Sequence, residues 1–485
     1  MRNVPSFLAA VSLVCGVAYV AGAAEPIDIG SRLELFVDDY LIDELSGDAR
    51  LSLHKPEAKE VVLVTDKPWE GNTCGFYTIF QDSDMYRMYY RATNHDVLHG
   101  QSTHPEFTCY AESKDGIHWS KPELGLFEFQ GSKQNSIVWD GVGTHAFTPF
   151  KDANPDCPPE AKYKALGVTL NVPNSPVPVG RDKHGLYALQ SPDGIHWNLM
   201  SKVPVKGAFD SQNLAFWDAT LGAYRAYWRF FTEGVTDADN WRPAGYRAIR
   251  TAVSKDFVEW GDSVDLTYVD SPNEHLYTNA IQPYERAPHI LLGFPTRLLK
   301  TSQTEPTFMT SRDGRTFHRW DEALVPVTAP EDRDGNRSNY MTWGMVRLPL
   351  SDREYSVYAT EAYFAAGGPH SSVRRFTYRV DGFVSVRASA QGGQLVSKLL
   401  LFSGRKLAVN FDTSDQGSLA VELQDAEGKP IPGFTLADCL PLNGDEIEKT
   451  VAWKGGADVN QLAGKPVRLR FDLKDADVFS FRFGE

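Results

Sequence analysis

One seven-residue pattern recurs through this chain and limits its fold more than any other feature. Ser113-Lys114-Asp115-Gly116-Ile117-His118-Trp119 returns as Ser191-Pro192-Asp193-Gly194-Ile195-His196-Trp197. Weaker copies stand at Ser254-Lys255-Asp256-Phe257-Val258-Glu259-Trp260 and Ser311-Arg312-Asp313-Gly314-Arg315-Thr316-Phe317, and Val380-Asp381-Gly382-Phe383 is a degenerate fifth. Successive Asp positions lie 78, 63, 57 and 68 residues apart. Asp-Gly is hairpin chemistry, because the carboxylate accepts local amides and Gly tolerates a positive φ. The trailing aromatic packs between sheets. The pattern therefore reads as structural, not catalytic.

Each turn follows strand-like runs, such as Met85–Tyr90, Tyr163–Thr169, Ala223–Trp228, His289–Phe294 and Glu354–Ala359, and long helical periodicity is absent. Five units of about four strands each predict an all-β chain built on a five-bladed β-propeller. From Ser385 the texture changes to short alternating strands (Lys406–Phe411, Ser418–Leu423, Val467–Leu473, Val478–Phe483), which predict a β-sandwich over 385–485. At the other end, basic Arg2, apolar Phe7–Val20 and small Ala21-Gly22-Ala23 read as a signal peptide over 1–23, hence a secreted or periplasmic protein. Residues 24–60 are then an N-terminal arm with a strand near Glu34–Val37, and 61–384 are the propeller.

Charge narrows the partners. With 49 Lys and Arg against 63 Asp and Glu, the net charge is −14 and no basic run appears, which argues against nucleic acid or an anionic membrane. No segment after the leader holds 18 uninterrupted apolar residues, so no membrane span is expected. Cys74, Cys109, Cys157 and Cys439 contain no CxxC, which argues against a zinc cluster. Export permits a disulfide, with Cys74–Cys109 the first pair to test, and buried thiols are the alternative. Oligomeric state cannot be read from these residues.

In a propeller, the start of each innermost strand and the end of the next strand share one mouth. Read in register, the first position gives Trp69-Glu70-Gly71-Asn72, Thr144-His145, Phe209-Asp210-Ser211-Gln212-Asn213, Glu274 to Asn279, and Ser338-Asn339-Tyr340. The second gives Arg91, Arg229, Arg297 and Glu361, while the second unit breaks the series with Leu170-Asn171. Charged residues directly after apolar strands form either a polar, aromatic-walled sugar pocket or ion pairs that close the ring. The arginines would suit an anionic sugar if they are not paired internally.

This order of blades, turns and sandwich resembles the furanosidase-type glycoside hydrolases of family 32 and its relative family 43. It also resembles exported, uncharacterised family 32-like propeller proteins. The resemblance covers about residues 60–485 and is architectural: N-D-P-N-G, R-D-P and E-C signatures are not at the expected places. It implies hydrolysis by two carboxyl groups, one protonated and one ionised. Asp210 falls where family 32 carries its acid/base, Glu70 lies near the nucleophile's place, and Glu361 is the third carboxylate. His145 stands where those families carry an aspartate. Trp69, His145, Asn213, Asn279, Asn339, Tyr340, Arg91, Arg229 and Arg297 are the expected sugar contacts. Phosphorolysis, as in family 130, would use the arginines for phosphate, against which export argues.

No cofactor is called for and no metal site is expected, although Asp262, Asp265, Asp270 and Glu274 could build a structural calcium loop without EF-hand spacing. His95, His99 and His104 read as a polar rim loop, and Asp38-Asp39 as a turn or domain contact. The expected function is an exported glycoside hydrolase acting on a poly- or oligosaccharide. Non-catalytic carbohydrate binding and an interaction scaffold are the competing readings.

Overall fold

The computed structural model describes residues 25–96, 99–170, 183–236, 241–269, 271–327, 339–364 and 370–485. The expected signal peptide lies outside the described residues, as do Asn171, Asp270 and Ser338. The described chain is an all-β propeller followed by a β-sandwich, with two short 3₁₀ turns as its helical content.

Five sheets of four or five strands follow one another along the sequence, antiparallel except where Thr267–Val269 runs parallel to Thr316–Arg319, and Leu276–Thr278, Thr296–Leu298 and Thr304–Pro306 form a separate three-stranded sheet. The first runs outward from Gly75–Asp82 through Met85–Ala92 and Phe107–Ser113 to Ile137–Trp139. The second starts at His145–Lys151, the third at Leu214–Asp218, the fourth at Gln282–Tyr284 and the fifth at Val346–Arg347. The fifth sheet takes its outermost strand from Glu57–Val64, so the two ends of the ring are joined by backbone hydrogen bonds. Their inward residues, Met341, Trp343, Ala215, Ile281 and Phe150 among them, share one core.

The recurring turn is a staple between neighbouring sheets. In Ser191–Trp197, Asp193 Oδ1 accepts the amides of Ile195 (2.9 Å) and His196 (2.8 Å), and Ser191 Oγ accepts that of Gly194. The Gly194 carbonyl then accepts Tyr89 Oη of the first sheet at 2.9 Å. Gly116 and Gly314 accept Tyr358 and Tyr227 of their preceding sheets in the same way. Gly194 sits at φ +80°, and a Cβ there would lie 2.5 Å from Arg87 and 2.8 Å from Tyr89, so glycine is required twice over. The third sheet's turn carries Phe257 at φ +69° instead, where its ring packs against Phe150 and Tyr224. Asp381, in the degenerate copy, makes a different joint: it accepts Tyr284 of the fourth sheet (2.5 Å), Ser480 (2.6 Å) and Asn410 (2.9 Å), tying propeller to sandwich.

The stretch expected as an N-terminal arm is built into the C-terminal unit. Ile27–Gly30, Glu34–Leu35, Ile42–Gly47 and Arg50–Leu53 pair with Leu400–Phe402, Arg468–Gly484, Gly393–Ser397 and Val384–Ala388. Period-two alternation explains its position: Leu35 and Val37 enter the propeller core while Phe36 enters the sandwich core. Four strands expected in the sandwich are fused into two, Lys406–Gln424 and Arg468–Gly484. Phe471 and Phe481 belong to one strand yet their rings are 6.2 Å apart. Ten extended residues would span about 33 Å, so the strand folds over at the bulge beside Asp475 (φ +46°), and this makes the two layers. The four later cysteines are thiols, three of them buried.

Candidate functional site

Beside the starts of the inner strands, side chains from the first three sheets, from the three-stranded sheet that holds Tyr277, and from the segments flanking Glu354–Glu361 meet. Two bulges aim them. In the first sheet pairing slips between Gly75 and Thr78, in the second between His145 and Thr148, with Phe76 (φ +54°) and Ala146 (φ +50°) left-handed. His145 is thereby turned inward. Its counterpart in the first sheet is Gly75, whose missing side chain admits the Tyr363 ring and Arg91.

His145 is 7% exposed and sits between two carboxylates. Its Nδ1 is 2.8 Å from Glu106 Oε2 and its Nε2 is 3.1 Å from Asp210 Oδ1. Burial pulls the imidazole pKa down, but the Glu106 charge and the hydrogen bonds to Asp210 and Glu106 outweigh it and lift the value to about 9. At neutral pH both ring nitrogens therefore donate. Burial likewise favours neutral Asp210 and Glu106, yet their contacts with His145 hold both carboxyls below the usual range, Asp210 with further help from Arg229 and Arg91. Asp210 remains 45% exposed at its side chain. Its loop is held from behind: Asn213 Nδ2 donates to the Phe209 and Ser211 carbonyls, and Ser211 Oγ to that of Tyr277.

Arg91 is buried beneath this triad. Nη2 donates to the Tyr363 hydroxyl (2.7 Å) and the Thr73 carbonyl (3.1 Å), Nη1 lies 3.8 Å from Glu106, and the guanidinium covers the Phe76 ring. Tyr363, Tyr340 and Tyr277 continue edge to face at 5.6 and 5.3 Å. Arg229, 3% exposed, donates Nε to the Ala208 carbonyl and lies 4.9 Å from the Tyr277 centroid. Asp210, His145, Arg91, Arg229 and Tyr340 are thus brought together.

Other expected contacts lie elsewhere. Glu70 has a side chain with no exposure; it accepts Tyr90 Oη (2.5 Å), Lys121 Nζ (2.7 Å) and the Lys67 amide (3.0 Å), and cannot touch a substrate. Glu361 is held by Arg374, which also donates to the Lys59 carbonyl in the outermost strand. Both faces of Arg297 are taken, by Glu274 at 3.1 Å and Glu305 at 2.6 Å. Trp69 packs on Phe129, Asn72 clamps the His95 backbone, and Asn279 caps the Ile281 amide. Asn339 is fully buried at φ +72° with Oδ1 lacking a partner.

Two of the four carboxylates considered for calcium are spent on arginines, Asp265 on Arg250 and Glu274 on Arg297 and Arg319. No metal-holding group of three or more acidic, His or Cys residues occurs among the described residues. His104 bonds the Glu70 carbonyl and stacks on Phe107, and Asp38 pairs with Arg312 between the two units. Glu106 and Arg247 were missed because Glu106 directly precedes the third strand of the first sheet and Arg247 lies within that of the third sheet, positions outside the first and second strands. That third register position was the available signal.

No family model matches the sequence, and no curated protein matches it. Solved structures do resemble it. A thermostable family-43 glycoside hydrolase is 13% identical at TM-score 0.44, over 68% of this chain and 96% of that one. A family 43 arabinoxylan arabinofuranohydrolase from Bacillus subtilis is 14% identical at TM-score 0.40, over 89% and 99%. A β-1,2-mannobiose phosphorylase from Listeria innocua is 12% identical at TM-score 0.45, over 67% and 97%. These likenesses concern the fold alone.

Proposed function

We propose that this protein is a carbohydrate-active enzyme that cleaves a glycosidic bond in a poly- or oligosaccharide, with Asp210 as its ionised catalytic carboxylate. The observation that carries the reading is a half-exposed carboxylate kept charged by His145, Arg91 and Arg229 beside a wall of tyrosines. Aromatic faces stack on the apolar faces of sugars, and an ionised carboxylate stabilises or attacks an oxocarbenium-like carbon. The leaving oxygen needs a proton. Glu106 is ionised and both His145 N–H groups are taken, by Glu106 and Asp210, so the imidazolium serves to hold Asp210 in its charged form and the leaving oxygen takes its proton from water. Glu70 and Glu361, both engaged internally, do not form the second half of a carboxyl pair.

The test is a panel of polysaccharides and oligosaccharides with reducing-sugar readout, run beside Asp210→Asn. Release by the wild type and loss of at least about a hundredfold in the variant support the reading. Binding without release in both favours the second reading, a carbohydrate-binding propeller. That alternative is supported by the presence of a single well-exposed carboxylate at the cluster.

A further inference from the structure

Two arginines in the third sheet share one place, near the charge of Asp210 but with no carboxylate in direct contact among the described residues. Arg229 and Arg247 project from adjacent strands, Phe231 pairing with Arg247. Both guanidinium carbons lie over the same two rings: Arg229 at 4.9 Å from Tyr277 and 5.5 Å from Phe231, Arg247 at 5.4 and 5.1 Å. No ion pair to either arginine occurs among the described residues, and Arg247 Nε is buried with no acceptor. Arg229 uses Nε on the Ala208 carbonyl, which leaves its terminal nitrogens for another group. Burial and the neighbouring Arg229 charge both depress the Arg247 pKa. The contrast with other buried arginines is informative: Arg91, Arg225, Arg297, Arg312 and Arg319 each have an acidic partner within 4 Å.

Two like charges clamped between aromatic faces repel, and the one carboxylate whose charge reaches both, Asp210, is already shared with His145 and Arg91, so a single negative charge faces more than one cation. Guanidinium forks bind planar or tetrahedral oxyanions bidentately. We propose that Arg229 and Arg247 form a subsite for an oxyanion that the substrate brings, a carboxylate or sulfate on a sugar next to the one held at Asp210. The inference rests on the carbohydrate reading above and makes the substrate class an acidic saccharide. Free inorganic phosphate offers the same chemistry, and the experiment separates the two sources.

The experiment measures binding by calorimetry at low salt, for hexuronate oligosaccharides, their neutral hexose counterparts and inorganic phosphate alone, with Arg247→Met, Arg247→Lys and Asp210→Asn. The expected result is tighter binding of the uronate than of the neutral sugar, reduced roughly ten- to hundredfold in Arg247→Met. The neutral sugar loses much less, and Arg247→Lys keeps part of the difference. The melting temperature of Arg247→Met should hold or rise, because a like-charge neighbour is removed. Equal losses for charged and neutral sugars, or a lowered melting temperature with no discrimination in the wild type, overturn the subsite. Arg247-dependent binding of phosphate, with no preference for uronate, overturns the substrate as the source. Charge-selective binding that survives in Asp210→Asn, with no bond cleavage in the wild type, sinks the catalytic reading and leaves the subsite standing.

Discussion

His145 Nε2 stands 3.1 Å from Asp210 Oδ1, and this contact joins the first strand of the second sheet to the loop that leads into the third. The proton in that contact has two effects. It keeps Asp210 ionised, and it is the proton most easily lost as pH rises. With the imidazole pKa at about 9, bond cleavage should fall along an alkaline limb centred near that value. His145→Gln should remove the limb and lower kcat by roughly ten- to a thousandfold with smaller effects on KM. An alkaline limb that persists unchanged in His145→Gln would assign the titration to another group.

The same proton contributes stability. The folded pKa of about 9 lies above the ordinary 6.5, so the contribution is full below pH 6.5 and disappears as pH rises through 9. Its size is on the order of 3 kcal/mol, at about 1.4 kcal/mol per pKa unit. Urea midpoints from pH 6 to pH 10 should therefore decline in the wild type and decline less in Glu106→Gln, which removes the main charge holding the proton. Parallel curves would contradict the assignment.

What could be read from residues alone follows from how the register was fixed. The Asp-Gly turns mark the same corner of successive sheets, so counting back from them found His145, Asp210, Arg91 and Arg229. Glu70 went astray because it stands five positions ahead of Gly75, the counterpart of His145, and a glycine announces no chemistry. Glu106 and Arg247 stand just before and within third strands, which a two-position register omits. Arg297 shared the right position, but Glu305 stands directly opposite it in the antiparallel pair Thr296–Leu298 with Thr304–Pro306, and Glu274 takes its other face. The N-terminal strands paired with residues more than 300 positions away, as in Leu53 with Val384, and such contacts leave no local trace.

The turn staple predicts a graded glycine series. Gly194→Ala must place a Cβ 2.5 Å from Arg87 at φ +80°, which should cost roughly 2–4 kcal/mol of stability. Gly125→Ala has a similar φ of +71° and open space, so only the backbone cost of about 1 kcal/mol applies. Thermal unfolding of the pair checks the difference; equal shifts would show that the contact to the first sheet is slack.

Glu70 gives a prediction of the opposite kind from Asp210. Its carboxylate bonds Tyr90, Lys121 and the Lys67 amide with no exposure, so Glu70→Gln leaves the buried Lys121 with only Asp66 at 3.4 Å as a charged partner, beside the Val64 carbonyl. The melting temperature should fall by several degrees, while KM for any cleaved saccharide moves less than about threefold. A large kcat loss at unchanged stability would return Glu70 to the site.

The junction between propeller and sandwich should set the acid limit of the protein. Glu34 has no side-chain exposure and is held by Arg312 at 2.8 Å, Arg32 at 2.6 Å and His289 at 3.3 Å. Burial alone would raise its pKa, but the His289 contact, the Arg312 charge and the Arg32 hydrogen bond lower it from 4.5 to about 2. A depressed carboxyl pKa contributes stability that is fully present above 4.5 and is lost as pH falls towards 2. Glu34→Gln removes the charge while Arg312 keeps only Asp38, so it should cost about 3–5 kcal/mol at pH 7. Denaturant midpoints between pH 7 and pH 3 should therefore slope more steeply in the wild type than in the variant. If both slope alike, acid lability comes from other carboxylates, and the buried ion pair does not couple the two units.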